Sequence, residues 1–192
     1  DAVKNHSEWE TFADRQKSKT TMAKGAGGIT HRYNLDADAY FKTSLAATYS
    51  DNRPEVEQLL SQNSSYYLPV VDMKSTNLDI VLNSYFNKKY SSRHTNRSGI
   101  TITGLLYDLD FNLSPNFGQN KPMQRIVKGN GEAMVLSAYS NSMFKLTDKL
   151  TANVGVNAQL FTLNSNWTIE PRLALKWNFN PKQSISLAYG LH

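Results

Sequence analysis

Cysteine is absent from the 192 residues of this chain, so neither a disulfide framework nor a thiolate metal site is available. Long hydrophobic runs are absent as well. Runs such as Gly104–Tyr107 are far shorter than the roughly 20 residues that a membrane-spanning helix needs. The first residues, Asp1 to Lys4, show no charged leader followed by an apolar core. We therefore expect no transmembrane helix, and expect that any signal peptide was removed or lies upstream.

Charged residues are also scarce, at 19% of the chain, against 40% hydrophobic residues that include 10 Tyr, 8 Phe and 3 Trp. An excess of Asn, Ser and Thr accompanies them, which suits strands that have one wet face. The net charge of +5 could suggest an acidic partner. However, the Lys and Arg residues are scattered along the sequence and form no single stripe, so nucleic-acid binding is not predicted.

A two-residue period dominates the sequence beyond about residue 20, the spacing that sends alternate side chains to opposite faces of a strand. It is clearest from Trp167 to Phe179, where large apolar residues alternate with polar and charged ones. Apolar residues also occupy alternate positions from Leu150 to Leu160 and from Ile185 to Leu191. These stretches predict three consecutive antiparallel strands of one design.

The whole pattern predicts an all-β fold, an antiparallel meander of about eight long strands. Each strand has roughly 9 to 19 residues, whereas strands of soluble sheets favour five or six. The predicted ranges are 19–33, 38–50, 76–89, 98–112, 132–144, 149–163, 167–179 and 183–191.

The connections and aromatic residues favour a transmembrane β-barrel of which this sheet is part. Long loops are predicted for Asp51–Ser75 and Ser114–Gly131, and shorter turns elsewhere, as in outer-membrane barrels. Trp167 and Trp177 lie about 33 Å apart at a rise of about 3.3 Å per residue. That spacing is typical of two aromatic girdles that flank an apolar band about 25 Å tall.

The first 18 residues differ from the rest. Ser7–Glu10 has the pattern of a helical capping box, and Trp9, Phe12 and Ala13 follow at helical spacing. We expect a loop or a short helix there, before the strands begin.

Residues 167–179 (WTIEPRLALKWNF) and 184–192 (SISLAYGLH) resemble the late barrel strands of TonB-dependent outer-membrane receptors. Residues 27–33 (GGITHRY) and 95–104 (TNRSGITITG) are similar to earlier strands of that family. The resemblance implies a nutrient transporter in the outer membrane of a Gram-negative bacterium, whose complete barrel has about 22 strands around a plug. Energy would come from the inner membrane through TonB, which touches the plug.

The chain departs from this family in length, because eight strands cannot enclose a plug, and neither a plug domain nor an energy-coupling box is recognisable. Leu191 and His192 also differ from the aromatic residue that usually ends such a barrel. We therefore expect residues 1–192 to be one barrel segment from the C-terminal half, without the plug domain. Its expected partners are membrane lipid, a small nutrient and, in the full-length protein, the plug and TonB. Two unpaired edges and a bare lipid face favour self-association of the isolated piece, or curling of the sheet.

Aromatic residues of the two long loops are the candidate ligand contacts. These are Tyr66, Tyr67 and Phe117, because exposed loop aromatics often bind sugars or peptides.

Two groups of charged residues have alternative interpretations. Asp108 and Asp110 are either a carboxylate pair for acid-base chemistry or calcium, or simply lumen-facing charges, and the second interpretation is favoured. Glu170, Arg172 and Lys176 share a strand face and are either substrate or plug contacts or an internal charge ladder paired across strands. The ladder is favoured.

Other motifs predict no chemistry. Lys24–Gly28 has the glycines of a phosphate-binding loop but lacks the terminal Lys-Ser or Lys-Thr and leads into a strand pattern. The histidines show no metal-ligand spacing, and no nucleophile elbow is present; they are His6, His31, His94 and His192. No catalytic, cofactor or metal site is predicted, and we do not expect an enzyme.

A soluble β-sandwich that binds carbohydrate is the alternative. There the apolar faces would form a core, and Trp or Tyr on a polar face would mark the site. Trp167, Trp177 and Tyr189 instead lie on the apolar side, which favours the barrel.

Overall fold

The structure is a computed structural model that describes residues 10–59, 66–115 and 121–191. In this part of the chain, eight strands form one sheet whose order follows the sequence from the first strand to the eighth. The strands are β1 (Gln16–Asn34), β2 (Ala39–Leu59), β3 (Tyr67–Ser91), β4 (His94–Leu113), β5 (Gln124–Lys145), β6 (Leu150–Phe161), β7 (Asn166–Asn180) and β8 (Gln183–Gly190).

The predicted fold class is confirmed, since the chain is an all-β antiparallel meander of eight long strands. The bounds of β6, β7 and β8 lie within two residues of those predicted. In these strands the alternation of apolar and polar residues continues without a break up to each turn, so the sequence pattern marks their ends well.

The bounds that the sequence predicts for the two long loops are wrong. β2 continues to Leu59, β3 already begins at Tyr67, and β5 begins at Gln124. The stretch that begins at Asp51 has the composition of a turn, but Asp51 is buried and accepts a hydrogen bond of 2.8 Å from Thr76 Oγ1. Arg53 Nε lies 2.8 Å from the same carboxylate. Polar bonds of this kind sustain strand pairing where the apolar period ends.

The segment before β1 contains one short 3₁₀ helix, Phe12–Arg15. The Asp14 carboxylate accepts hydrogen bonds from the backbone N–H groups of Glu10 and Thr11, at 3.0 and 2.8 Å. The predicted short helix is therefore a single turn. The first three residues of the predicted capping box, Ser7 to Trp9, lie outside the described residues.

The sheet divides into two compact units. Unit 1 comprises Asp1–Ala26, Thr48–Asp79 and Leu106–Glu132; unit 2 comprises Gly27–Ala47, Ile80–Leu105 and Ala133–His192. Among the described residues, unit 1 buries Asp51, Gln58, Leu59, Val70 and Ser114, and Ser114 N–H donates to the Val70 carbonyl at 2.9 Å.

Unit 2 has almost no buried apolar residues in its described part, because only Ala39 and Ala152 are buried there. The described apolar side chains of unit 2 therefore form no buried core.

The strand register places large apolar residues beside one another across β6, β7 and β8. Val154 pairs with Leu173, which pairs with Tyr189. One residue further along, Gly155 pairs with Arg172, which pairs with Gly190. Paired residues point to the same side of a sheet, so this part of unit 2 has one apolar face and one polar face.

Candidate functional site

Most of the apolar face of β6–β8 is exposed. Trp167 is 69% exposed, Leu187 70% and Trp177 53%. The register joins these side chains into one surface, and its other members with high exposure are Val154, Val156, Ile169, Leu173, Ile185 and Tyr189. Soluble monomers rarely expose a continuous apolar surface of this size, which marks contact with lipid or protein.

On the same side of the sheet, β5 carries serine residues where β6 carries valines, since Ser140 pairs with Val156 and Ser142 with Val154. These hydroxyls bond to β4. Asn96 Nδ2 donates to both serine hydroxyls at 3.1 and 3.0 Å, and the Ser98 hydroxyl lies 2.8 Å from that of Ser140. The group is thus internally hydrogen-bonded, which makes its presence on an apolar face tolerable.

The polar face of unit 2 forms a recess of about 480 Å³ that is lined by amides and hydroxyls. Its lining includes Tyr139, Asn141, Asn157, Gln159 and Arg172. Recesses of about 300 to 1,000 Å³ accommodate small ligands. The available groups donate and accept hydrogen bonds but include no nucleophile with an adjacent base, so the recess is suited to binding.

The charged residues on this face are arranged differently from the predicted ladder. Arg172 pairs with Glu170 of its own strand at 2.8 Å, whereas the cross-strand partner of Glu170 is the Asn157 amide at 3.3 Å. Lys176 lies opposite Thr151 and Ser186. The prediction of charge pairs across strands is therefore wrong for these residues, because β6 and β8 place uncharged side chains beside them.

Arg172 has no side chain directly beside it in the ladder, because its paired neighbours are Gly155 and Gly190. A Cβ on Gly190 would lie 3.5 Å from Arg172 Cγ, and a Cβ on Gly155 would collide with the Asn141 amide. A recess of about 570 Å³ includes all four residues. No motif in the sequence singles out these glycines, because their role depends on the register.

A row of tyrosine and arginine side chains crosses β1 to β4 in unit 2, and we call it the Tyr–Arg row. The Arg32 guanidinium lies 3.9 Å from the ring centre of Tyr40, Tyr40 meets Tyr85 edge to face at 6.1 Å, and the Arg97 guanidinium lies 4.7 Å from the ring centre of Tyr85. The row consists of Arg32, Tyr40, Tyr85 and Arg97. Sequence reasoning missed it because the four residues are far apart in the chain.

In unit 1, the two acidic residues whose spacing suggested a carboxylate pair have separate basic partners. Asp108 lies 2.9 Å from Lys74 Nζ, and Asp110 lies 3.1 Å from Arg125 Nε. The hydrogen bond with Lys74 lowers the pKa of the Asp108 carboxyl and raises the pKa of the Lys74 ammonium. The Lys74 ammonium therefore holds the Asp108 carboxylate ionised, which does not suit acid-base chemistry at neutral pH.

The aromatic ligand candidates do not form one site among the described residues. Tyr66 is 79% exposed just before β3, while Tyr67 is the first residue of β3, is half-buried and has Lys17 Nζ 5.9 Å from its ring centre. Phe117 lies outside the described residues. Their role in ligand binding remains a prediction.

Other candidates from the sequence fall inside strands. Lys24–Gly28 belongs to β1 and forms no loop before a helix, so it lacks the geometry of a phosphate-binding loop. In the described ranges, no three His, Asp or Glu side chains group closely enough to hold a metal ion. The same part of the chain contains no helix that is long and apolar enough to cross a membrane.

No family model matches this sequence, and no curated protein matches it either. The structure is similar to ten solved chains, among them a chain of the RagAB peptide importer in its closed-closed state. That match has a TM-score of 0.63 at 10% sequence identity and covers 93% of this chain. It covers 23% of the importer chain, so the present chain spans about a quarter of that relative's length. The likeness shows a shared fold.

Proposed function

We propose that this chain is a wall segment of an outer-membrane β-barrel that belongs to a nutrient importer of the TonB-dependent type, in a Gram-negative bacterium. The exposed apolar face of β6–β8 in unit 2 is the observation that carries the proposal. The polar face, in turn, is proposed to line the passage. The role is transport and contact with ligand rather than catalysis.

The energetic cost of this face in water supports a lipid environment. Removing a large apolar side chain from water is worth about 1.5–3 kcal/mol, and eleven such side chains of β6–β8 are exposed. Left in water, the face forgoes on the order of 15 kcal/mol, which equals the whole stability of a typical domain. Acyl chains would supply the missing cover.

The polar face supports a passage for polar solutes. Its amides and hydroxyls, with Arg172 among them, match ligands that carry both hydrogen-bond donors and acceptors. The similar RagAB chain belongs to a peptide importer, and peptides have this chemistry. The substrate of the whole barrel, its plug and its energy-coupling partner are part of the proposal, because the chain spans only 23% of that relative.

Fluorescence quenching by brominated lipids tests the proposal. With Trp9 replaced by phenylalanine, Trp167 and Trp177 are the only tryptophans, and we expect both to be quenched in vesicles whose acyl chains carry bromine. W9F/W167F and W9F/W177F separate the two signals. Tryptophan emission that is not quenched by brominated lipids, together with solubility without detergent, would contradict a lipid-facing wall.

The structure does not favour the β-sandwich alternative. A sandwich needs two sheets packed face to face over a shared core, whereas the described strands form a single sheet and leave the apolar face of β6–β8 exposed. Trp167 and Trp177 lie on that apolar face, so neither tryptophan marks a carbohydrate site on the polar face.

A further inference from the structure

The Tyr–Arg row of unit 2 has cationic groups that lack acidic partners. Among the described residues, no carboxylate lies within ion-pair distance of Arg32 or Arg97, and Arg32 Nε donates instead to the Asn34 amide oxygen at 2.9 Å. By contrast, Arg172 is paired with Glu170. Two guanidinium groups thus keep most of their donors for an external partner.

The tyrosine rings fix these guanidinium groups in place. Stacking on an aromatic face orients the planar fork of an arginine and lowers the entropy lost when it binds a carboxylate. The guanidinium carbons of Arg32 and Arg97 are at most about 15 Å apart, since contacts of 3.9, 6.1 and 4.7 Å connect them in series. The row is therefore a preorganised pair of anion-binding groups.

The surrounding charge has the same sign. Unit 2 contains eleven Lys and Arg residues against four Asp and Glu, a net charge of +7, whereas unit 1 contains ten against twelve. The basic residues that look scattered in the sequence are thus in excess in one unit. An approaching acidic group is attracted to unit 2 as a whole before it meets the row.

We propose that the Tyr–Arg row binds an acidic polypeptide segment in extended conformation, with its carboxylates on Arg32 and Arg97. Carboxylates match the guanidinium fork in two parallel hydrogen bonds. In an extended segment, side chains two to four residues apart are separated by about 7 to 13 Å, which lies within the limit of about 15 Å on the separation of the two guanidinium groups. This inference does not depend on the membrane location proposed above.

A nucleic acid fits the row less well. Single strands bind proteins largely by stacking bases on aromatic rings. Here one face of Tyr40 is covered by Arg32 and one face of Tyr85 by Arg97, and the two rings also meet each other. With the rings engaged in this way, the row offers ion pairing without a stacking platform.

Binding of a labelled hexaglutamate peptide to the detergent-solubilised full chain tests the proposal by fluorescence anisotropy. We expect R32Q/R97Q to weaken binding at least about tenfold. The control variant K149Q/K182Q removes the same two charges from turns of unit 2, and we expect a change below about twofold. R32K/R97K keeps the charge but loses the fork, so its affinity should fall between the two.

Three results would overturn the proposal. They are equal weakening by the control variant, wild-type affinity of R32K/R97K, and binding of an oligothymidylate at least as tight as that of hexaglutamate. Heat-dependent gel mobility shows whether each variant keeps its fold, and the lysine variant remains informative if R32Q/R97Q does not. A wild-type chain that does not bind hexaglutamate but is quenched by brominated lipid contradicts this inference alone.

Discussion

Units 1 and 2 belong to the same eight strands, but each is stabilised in a different way. Unit 1 has ion pairs between neighbouring strands, such as Lys74–Asp108 and Arg125–Asp110, and buries a small group of residues that includes Leu59 and Val70. Unit 2 buries two alanines among its described residues and leaves a wide apolar face exposed. Under the proposed membrane location, lipid covers the apolar face of unit 2 and water surrounds the ion pairs of unit 1.

The residues on one face of a single strand also differ between the two units. The even-numbered positions of β4 are apolar at Ile100, Ile102 and Leu106 and acidic at Asp108 and Asp110. A strand that is buried in one protein core stays apolar along its length. A strand that leaves a bilayer changes from apolar to charged residues on one face, because a charge is costly at the centre of the lipid and is tolerated near its surface. A substitution in unit 2 should therefore have a different effect from a matched substitution in unit 1.

The largest effect is expected for a charge on the apolar face. Leu173→Arg in β7 should lower the free energy of unfolding in lipid by about 2–4 kcal/mol. Ile126→Arg in unit 1, where the isoleucine is 51% exposed, should change it by less than about 0.5 kcal/mol. Guanidinium unfolding in vesicles measures both. Equal values for the two variants would remove the distinction between the units.

Gly99→Ala should give the next largest effect. An added Cβ would lie 2.6 Å from Tyr85 Cβ and 2.7 Å from the Ser84 carbonyl oxygen, so the backbone would have to shift, at a cost of about 1–3 kcal/mol. Gly129→Ala in unit 1 meets nothing within 4 Å and should be neutral or slightly stabilising. The same unfolding assay compares them, and a neutral Gly99→Ala would show that the polar face is loosely packed.

Glu170→Gln should destabilise the chain by about 1–2 kcal/mol. The Glu170 side chain is only 12% exposed and accepts from Arg172, Asn157 and Thr168, so neutralisation leaves a guanidinium without its counter-ion. Glu132→Gln, at an exposed position of β5 in unit 1, is the control, and its midpoint of unfolding should stay unchanged. A larger loss for the control would rule out this role for Glu170.

The smallest effect concerns the exposed Lys74–Asp108 pair. The pKa of Asp108 is lowered, so its contribution is present above the ordinary carboxyl pKa and is lost as pH falls through the lowered value. The pKa of Lys74 is raised, so its contribution is present below the ordinary ammonium pKa and is lost as pH rises through the raised value. Between those limits, the difference in unfolding midpoint between wild type and Asp108→Asn should be small and flat, and salt should remove it. A difference that peaks near neutral pH would contradict this.

The sequence predicts the architecture better than it predicts contacts. The two-residue period marks β6 to β8 because each turn interrupts it, and the existence of all eight strands follows from the same signal. It fails at Asp51, where β2 continues, and at Gln124, where β5 begins. There the strands have polar bonds, from Thr76 to Asp51 and from Arg125 to Asp110, in place of an apolar period. Strand ends outside an apolar band are therefore the part that periodicity cannot locate.

The sequence predicts which residues lie on the polar face, but it does not predict which of them contact one another. That Glu170 and Arg172 lie on one side follows from their spacing, but the partner of each depends on the register of β6. The meeting of Tyr40 with Tyr85 likewise requires that β2 and β3 be aligned to within one residue. One slipped residue would send either ring to the opposite face, so no inspection of the sequence alone could have assembled the Tyr–Arg row.

The strand order ends at β8, whose eight described residues are all exposed. About half of the backbone N–H and C=O groups of such an edge strand point away from its neighbour, in positions fixed by the existing ladder. The edge can therefore specify how a further strand adds, with Leu173, Tyr189 and the next apolar side chain on one side and Arg172 and Gly190 on the other. The backbone of β8 thus determines the register of any strand that pairs with it.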